Sequence, residues 1–294
     1  MTFTPQPTAD GSYTFFSPEF EETFHSLRGA KEEAQEKFII PCQLAEKAKH
    51  HSQLSILDIC YGLGYNTAAA METVWGINPD CQLEIIALES DLRVPQATTE
   101  HHLLEQWSSP IPQLLSTLAQ AQFLDHSHCQ AHLFIGDARN TIQDVIQQDF
   151  QADAIFLDPF SPPHCPQLWS VEFLALVAQC LDTNGRLATY SCAAGMRTAL
   201  SLAGLHYTST MGMNRRSTVA SWNGEDLSPL SQLDREHQQT RAAIPYRDPN
   251  LEDSTETILE RRQQEQLNSN LETTSQWRKR WRKRTEESKV VESF

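Results

Sequence analysis

Short apolar segments alternate with amphipathic or alanine-rich segments through the middle of the chain. Five runs rich in Ile, Leu, Ala and Phe lie at 55–60, 83–89, 131–136, 154–158 and 186–191. Runs of this length and character are typical of strands that are buried on both faces of a parallel sheet. Helical patterns fall between them, near 66–75, 91–106, 139–149, 170–182 and 193–203. The alternation predicts right-handed βαβ units and a doubly wound α/β fold with helices on both faces of the sheet.

Two further strand-like runs, 206–213 and 217–222, are separated by a tight turn and predict an antiparallel hairpin at one edge. Together with the five parallel strands they give a mostly parallel, seven-stranded, Rossmann-like sheet. The stretch 108–129 is rich in Ser, Pro, Gln and His and is predicted to be an insertion with a helix at 113–121.

The pattern divides the chain into three regions. Residues 1–50 contain a proline-rich start, an aromatic segment and a helical pattern over 30–48 that Pro41 interrupts. This region is too short for a core of its own, so it is predicted to pack as an extension on the main domain, residues 51–222. Residues 223–294 hold few aliphatic side chains and many Gln, Glu, Arg, Ser and Thr. They are predicted to be partly disordered or to form solvated helix.

Charge is unevenly distributed along the 294 residues, whose net charge is −15 and whose mean hydropathy is −0.46. Residues 223–294 hold 12 basic and 14 acidic residues, so the first 222 residues carry a net charge of −13. An acidic body of this kind argues against indiscriminate nucleic-acid binding. The one dense basic cluster is WRKRWRKR at 277–284, which suits phosphate contact and base stacking. A helix end solvated by its acidic neighbours is the alternative.

Several classes of protein are disfavoured by what the chain contains. No apolar run approaches the roughly 18 residues of a membrane span, and the first residues do not have the pattern of a signal peptide. The seven cysteines are scattered and form no C-x-x-C pair, which argues against a metal site or a disulfide framework. We therefore expect no bound metal, no membrane association and a reducing, cytoplasmic location.

The stretch ILDICYGLGYNT at 56–67 has the order strand, glycine turn, helix. Such a turn lets a nucleotide approach the backbone, although a plain βα turn would have the same form. A dinucleotide-binding motif requires Gly or Ala where Thr67 stands, so NAD is disfavoured. The pattern D-x-x-x-G-x-G resembles the first motif of class I methyltransferases that use S-adenosylmethionine. The resemblance implies that the loop surrounds the amino-acid end of this cofactor, with contacts from Asp58, Gly62, Gly64 and Asn66.

Acidic residues follow the next two predicted strands. Glu89 ends the second strand, where a carboxylate can accept hydrogen bonds from both ribose hydroxyls of a nucleotide. Asp137 and Ala138 follow the third strand, where the carboxylate and the Ala138 N–H can contact an adenine ring. For both acids, helix capping is the structural alternative. The sequence therefore predicts a cofactor site built from successive strand ends.

Asp158 closes the fourth strand in LDPFSP and is the candidate catalytic residue. The Asp–Pro–aromatic segment is similar to the acidic motif of methyltransferases that act on amino nitrogen. An amine must be neutral to attack a methyl group, and a carboxylate can orient it or accept its proton. Phe160 could stack on a base. A plain βα turn capped by Asp158 is the alternative.

The segment LDPFSPPHCPQLWSVEF at 157–173 resembles the methyltransferase domain of the MnmC family, bifunctional proteins of tRNA 5-methylaminomethyl-2-thiouridine synthesis. The segments TFFSPEFEETFHS, ATYSCAAGMRTALSLAG and MGMNRRSTVAS extend the resemblance over roughly 13–222. Only residues 223–294, which are largely polar, follow Trp222, so we expect no second, flavin-binding oxidase domain. The first motif also opens differently from that of the bifunctional proteins, so the chain resembles a stand-alone subfamily. The resemblance implies methylation of an aminomethyl group on the wobble uridine of tRNA.

Further substrate contacts are predicted at Tyr190, which leaves the fifth strand toward the site, and at Arg215 and Arg216 in the hairpin turn. Solvated turn charges are the alternative for the two arginines. Two other functions remain open. An aminopropyltransferase of the polyamine type shares the fold and an aspartate at the fourth strand, although its paired acidic residues are absent. A methyltransferase-like scaffold that binds a partner without chemistry is the other.

Overall fold

The computed structural model describes residues 3–211 and 216–291, with side chains up to residue 284 apart from that of Met211. Its strands are β1 Gln6–Pro7, β2 Tyr13–Thr14, β3 Phe16–Ser17, β4 Glu22–Thr23, β5 Gln53–Ile59, β6 Gln82–Glu89, β7 Phe123–His126, β8 Cys129–Ile135, β9 Ala152–Leu157, β10 Leu181–Thr189, β11 His206–Met211 and β12 Arg216–Ser221. Its helices are α1 Ala30–Ala34, α2 Leu44–His50, α3 Tyr65–Ile77, α4 Arg93–Glu100, α5 Ile111–Ala121, α6 Ala138–Gln147, α7 Val171–Gln179, α8 Ala194–Leu202, α9 Gln232–His237, α10 Thr255–Asn268 and α11 Thr274–Val291.

Strands β5 to β12 form one sheet in the order β11-β12-β10-β9-β5-β6-β8-β7. The five inner strands from β10 to β8 run parallel, which confirms the predicted fold. The hairpin β11–β12 joins β10 in antiparallel orientation, as predicted for that edge. The predicted number of seven strands is wrong by one, because the insertion also contains β7, which pairs with β8. This strand, FLDH, is short and largely polar, so it has too little apolar periodicity to be recognised.

The two faces of the sheet bury different sets of helices. Because successive side chains of a strand point to opposite faces, Ile56 packs in one core and Leu57 in the other. The first core contains residues of α1 to α5, and the second contains residues of α6, α7 and α8. This distribution is the doubly wound arrangement, and it leaves the carboxyl edge of the parallel strands open for a site.

The N-terminal region packs on the first face. Phe15, Phe38 and Ile39 are at most 1% exposed and belong to that core. The helical pattern over 30–48 is divided as Pro41 suggested. Helix α1 continues as a π-helical turn over Gln35–Ile39, and α2 begins at Leu44. The hairpins β1–β2 and β3–β4 precede these helices, and β3–β4 reaches the cleft at the carboxyl edge of the sheet.

The C-terminal region, whose composition predicted solvated or disordered chain, forms three helices that pack on the domain. Tyr246, Ile258 and Trp277 are buried, as are the carboxylates of Asp234 and Asp248. Few apolar anchors suffice here because buried polar groups supply the remaining contacts. Within the described ranges, no helix is long and apolar enough to cross a lipid bilayer.

Candidate active site

A cleft of about 580 Å³ opens at the carboxyl ends of the parallel strands. It is lined by residues that end or directly follow five different strands: Gly62, Glu89, Asp137, Asp158 and Tyr190. Ligands of open α/β sheets bind at this edge, where the loops are free of sheet pairing. The N-terminal region supplies a further wall of the cleft. The structure thus brings together most of the residues that the sequence singled out.

The loop after β5 turns through three residues with positive φ, Cys60 (67°), Gly62 (55°) and Gly64 (78°). Gly62 lines the cleft and donates its N–H to Oε2 of Glu89 over 2.8 Å. Gly64 directly precedes α3 and lies outside the cleft wall. A Cβ atom at Gly64 would clash with the hydroxyl of Tyr61. The absence of a side chain at Gly62 therefore leaves the backbone accessible from the cleft. The absence of a side chain at Gly64 leaves room for Tyr61 in the folded loop.

Gly64→Val is expected to abolish cofactor binding by distorting this loop. A β-branched side chain is disfavoured at a φ of 78° and would also displace Tyr61. The combined cost of strain and overpacking is about 2–5 kcal/mol of unfolding free energy. Titration calorimetry with S-adenosylmethionine and thermal unfolding measure both effects. Gly76→Val is the matched control, since a Cβ atom at Gly76 meets no atom within 4 Å. Unchanged affinity in Gly64→Val would remove the loop from the binding site.

Asp58 and Asn66 lie beneath the loop and outside the cleft wall. Oδ2 of Asp58 accepts the hydroxyl of Thr67 over 2.7 Å, and the Asn66 amide donates to Oδ2 of Asp158 over 2.9 Å. Burial raises the pKa of Asp58 to about 7, against the effect of the Thr67 bond. Oδ1 of each residue is buried without a hydrogen-bond partner among the described residues. A buried acceptor of this kind costs free energy until a donor reaches it.

Glu89 is held in place by backbone donors. Its Oε1 accepts the N–H groups of Ser90 and Asp91 over 2.8 and 3.0 Å, and its Oε2 accepts that of Gly62. Burial raises the pKa of Glu89, although these hydrogen bonds oppose the shift. Among the described residues Oε2 accepts a single bond, so this oxygen has capacity for a further donor in the cleft.

Asp137 caps α6 and also lines the cleft beside Ala138. Its Oδ1 accepts the backbone N–H of Arg139 over 2.9 Å, and the Arg139 guanidinium contacts both carboxylate oxygens at 2.6–3.1 Å. The Asp137 side chain keeps 38% of its surface exposed. The two interpretations from the sequence, helix cap and ligand contact, are therefore compatible, and the cap is present.

Asp158 lies half-buried in the cleft directly after β9. Burial raises the pKa of Asp158 well above its usual range, the negative charges of Glu33 and Asp58 act in the same direction, and the Asn66 amide opposes them. Burial, and to a smaller extent the charge of Asp158, raises the pKa of the Cys60 thiol and of the Tyr190 hydroxyl. A carboxylate with a raised pKa is a stronger proton acceptor than an ordinary one, which suits a general base.

Aromatic side chains surround the Asp158 end of the cleft. Phe160 stacks on Phe20 with ring centroids 4.4 Å apart and meets Phe24 edge-on at 5.0 Å. The Tyr190 hydroxyl donates to the carbonyl oxygen of Pro159 over 2.9 Å. Trp169 is fully buried, and its indole N–H donates to the Phe160 carbonyl over 2.8 Å. Trp169 therefore supports the loop, and Phe160 and Tyr190 line the cleft.

The hairpin residue Arg216 lies apart from the cleft wall. Arg216 starts β12 and binds Oδ1 of Asp234 over 2.7 Å, with 39% of its side chain exposed. Arg215 lies outside the described residues. Because β12 is antiparallel to β10, with Thr218 opposite Thr189, Arg216 lies at the carboxyl edge of the sheet near Tyr190.

Sequence reasoning missed the N-terminal wall of the cleft, which contains Phe20, Glu22, Phe24 and Glu33. Glu22 of β4 accepts hydrogen bonds from the backbone N–H of Ser161, over 2.9 Å, and from the Ser161 hydroxyl. These bonds tie the β3–β4 hairpin to the loop after β9. The sequence feature that could have indicated this wall is the cluster of aromatic and acidic residues at 15–24. Among the described residues, no group of three or more His, Cys, Asp or Glu side chains is placed to hold a metal ion.

Several known proteins and one family model are similar to this chain in sequence. Residues 96–223, which include Asp137, Asp158 and Tyr190, match a family model described as S-adenosyl-L-methionine-dependent methyltransferase. An uncharacterised protein of Methanocaldococcus jannaschii is 29% identical over 265 residues, 87% of this chain and 70% of that protein. The bifunctional tRNA 5-methylaminomethyl-2-thiouridine biosynthesis protein MnmC of Acidovorax sp. (strain JS42) is 30% identical over 210 residues. That match covers 68% of this chain but only 32% of the bifunctional protein.

A solved structure matches over nearly the whole chain. The crystal structure of MnmC2 from Aquifex aeolicus superimposes with a TM-score of 0.80 at 30% identity, covering 91% of this chain and 86% of that one. Its similarity in both sequence and fold extends beyond the region matched by the family model. The chain therefore belongs to the MnmC-like S-adenosyl-L-methionine-dependent methyltransferases.

Proposed function

We propose that this methyltransferase binds S-adenosylmethionine and methylates the nitrogen of an aminomethyl group on the wobble uridine of tRNA. The observation that carries the proposal is Asp158, a carboxylate with a raised pKa in the same cleft as Gly62, Glu89 and Asp137. The names of the MnmC relatives, which refer to tRNA 5-methylaminomethyl-2-thiouridine biosynthesis, support the choice of substrate. That part of the proposal is an analogy with relatives of which the match with this chain covers only about 32%.

The residues of the cleft, together with Asp58 of β5 and Asn66 of α3 on either side of its glycine loop, fit the proposed cofactor. The buried and unpartnered Oδ1 atoms of Asp58 and Asn66 suit the ammonium group at its amino-acid end. Gly62 leaves the loop open, Oε2 of Glu89 can accept a ribose hydroxyl, and the exposed carboxylate of Asp137 can accept the adenine amino group. When bound, the cofactor supplies an electrophilic methyl group on a sulfonium.

The task of the protein in this reaction is to deliver a neutral amine. An alkylamine with a pKa near that of lysine, about 10.4, is charged at neutral pH and has no lone pair for attack. We assign Asp158 as the group that accepts one proton from the substrate ammonium, so that the lone pair can form the new N–C bond. Asn66 holds the carboxylate of Asp158 in place through its hydrogen bond. Holding the two reactants in one orientation supplies much of the remaining rate enhancement.

The aromatic residues beside Asp158 provide a place for the uracil ring. Phe160 and Tyr190 remain the proposed substrate contacts, and Phe20 and Phe24 join them in the same wall. One face of Phe160 is covered by Phe20, so a base that stacks on that face must displace Phe20. An aromatic wall also keeps water away from the neutral amine.

The test is methylation of a defined RNA. Purified protein with S-adenosylmethionine is incubated with tRNA that carries aminomethyl-uridine, and nucleosides are analysed by mass spectrometry. We expect one CH2 unit to be added to the aminomethyl-uridine, and none to be added to tRNA that carries plain uridine. Cofactor binding without methylation of the modified nucleoside would contradict the proposed substrate.

A polyanionic substrate needs a basic surface, and α11 carries a candidate for one. Trp277 packs against His237 of α9 with centroids 5.0 Å apart, and Arg280 and Arg284 bind Glu236. This packing leaves Arg278 and Lys279 exposed on the opposite side of α11. Helix α9 is itself joined to Arg216 at the carboxyl edge through Asp234. We propose that these exposed cations of α11, together with Arg215 and Arg216, contact tRNA phosphates.

Replacing Arg278 and Lys279 by Gln should weaken tRNA binding and flatten its salt dependence. Gln keeps the helix propensity while removing both charges. Each lost phosphate contact should reduce the slope of log K against log salt by about 0.7–0.9. The double replacement of Lys47 and Lys49 by Gln is the matched control, since α2 precedes β5 and lies toward the opposite edge. If the plots of log K against log salt coincide for the Arg278/Lys279 variant and the wild type, the RNA binds elsewhere on the protein.

A further inference from the structure

We infer that Asp248, in the C-terminal region, is a positioning residue for the cofactor that orients Asp137 through Arg139. The inference rests on the proposed contact between Asp137 and the adenine ring. It assigns to the residues after 222 a role in the site that their polar composition does not indicate.

The contacts form a continuous chain of charged groups. The Arg139 guanidinium bonds to both oxygens of Asp137 through Nε and Nη2 and to Oδ2 of Asp248 through Nη1 over 2.8 Å. Nη1 also donates to the carbonyl oxygen of Asp253 over 3.0 Å. The Arg139 side chain is 13% exposed, and that of Asp248 is 0% exposed. The guanidinium is therefore fixed between one carboxylate in the cleft wall and one buried in the C-terminal region.

Asp248 is rigidly placed by its own backbone contacts. Its Oδ1 accepts the N–H groups of Glu252 and Asp253, each over 3.1 Å, and its own N–H donates to Glu172 of α7 over 2.7 Å. The neighbouring Tyr246 accepts the N–H of Val171 at the start of α7 over 3.0 Å. The loop is thus tied to the beginning of α7, while Oδ2 of Asp248 is left to hold Arg139.

A simple cap of α6 would not require this arrangement. The bond from the Arg139 backbone to Oδ1 of Asp137 already satisfies the helix terminus. The guanidinium adds a bidentate contact that fixes the plane of the Asp137 carboxylate, because two parallel N–H···O bonds restrict its rotation. A fixed carboxylate accepts a hydrogen bond from an adenine amino group with less loss of side-chain entropy than a mobile one.

The variant Asp248→Asn should disturb the contact with Arg139 while keeping the backbone contacts that hold the loop. An amide can keep its oxygen toward the two backbone N–H groups, which then places its NH2 group against Nη1 of Arg139, donor against donor. Asp253→Asn is the matched control, since it makes the same change in the same loop and breaks only the contact with Arg261. Arg139→Lys is a second variant, because an ammonium cannot bridge both carboxylates with bidentate geometry.

The readout is the ratio of affinities for S-adenosylhomocysteine and its analogue with a 6-oxo purine, measured by calorimetry. A hydrogen bond to a charged group should give the wild type about a tenfold preference for adenine. We expect Asp248→Asn and Arg139→Lys to reduce this ratio to about threefold or less, and Asp253→Asn to retain it. Retention of the wild-type ratio in both test variants would overturn the inference. Failure of the wild type to bind S-adenosylhomocysteine would instead overturn the proposed function.

Discussion

Asp158→Asn is expected to lower kcat by a factor of about 10²–10⁴, the usual contribution of a general base. The amide keeps the size of the side chain but cannot accept a proton from the substrate ammonium. Affinity for S-adenosylmethionine should stay within several-fold of the wild type, because the proposed adenosine contacts are Glu89, Asp137 and Ala138. Single-turnover rates with saturating tRNA, together with calorimetry of the cofactor, measure the two effects separately.

The pH dependence gives a second signature of the same residue. Since burial and the charges of Glu33 and Asp58 raise the pKa of Asp158, kcat/KM of the wild type should fall as the pH decreases through that raised pKa. Below it the carboxyl group is protonated and cannot accept a proton. In Asp158→Asn the inflection at the pKa of Asp158 should disappear, and the residual rate should instead rise continuously with pH in proportion to the neutral amine. A variant with near-native turnover would remove Asp158 from the mechanism.

Asp234→Ala is expected to lower the free energy of unfolding by about 3–5 kcal/mol, the usual result of breaking a buried ion pair from one side. Asp234 accepts hydrogen bonds from Arg197 over 2.9 Å, Arg216 over 2.7 Å, Ser209 over 3.1 Å and Ser231 over 2.6 Å. The Arg197 side chain is 2% exposed, so the variant leaves a buried guanidinium without its carboxylate. Chemical denaturation with an unchanged m-value measures the difference.

Glu272→Ala is the control for this prediction, because Glu272 pairs with the half-exposed Arg280 in the same region. Exposed pairs contribute about 0–1 kcal/mol. Burial raises the pKa of Asp234, but Ser231, Arg197 and Arg216 outweigh it and the net shift is downward. Its stabilisation is therefore complete at neutral pH and is lost as the pH falls through the lowered pKa. The difference between wild type and Asp234→Ala should shrink on acidification; equal losses in the two variants would refute the assignment.

The inner sheet was predictable because buried parallel strands have a clear apolar signal. The predicted strand 83–89 differs from β6 by one residue, whereas 186–191 misses the first five residues of β10. That segment, Leu181–Gly185, reads as a turn, and the pairing with β9 shifts register between Leu181 and Arg186. Local sequence describes a regular strand well and an irregular one poorly.

The acids at strand ends were predictable for the same topological reason, since each follows an apolar run. The remaining walls of the cleft depend on contacts between distant parts of the chain. Glu22 bonds to Ser161 across 139 residues, and Arg139 bonds to Asp248 across 109. Nothing in the local sequence indicates which distant side chain each of these residues contacts, so only the folded chain reveals the two pairs. Helix was one of the predicted states for residues 223–294, but its packing on the domain was not predicted, because buried carboxylates and arginines supply many of the contacts.

The contact between Arg139 and Asp248 also fixes when the cleft can be completed during synthesis. Chains fold from the N-terminus as they leave the ribosome, and β5 can pair with β6 early, because the two strands are close in sequence. The other neighbour of β5 is β9, which emerges about 95 residues after it. Asp137 then remains without its outer support until Asp248 has been added. A nascent chain that already has its whole sheet therefore lacks the Arg139–Asp248 contact, and under the proposed role of Asp137 we expect it to bind the cofactor more weakly than the full chain.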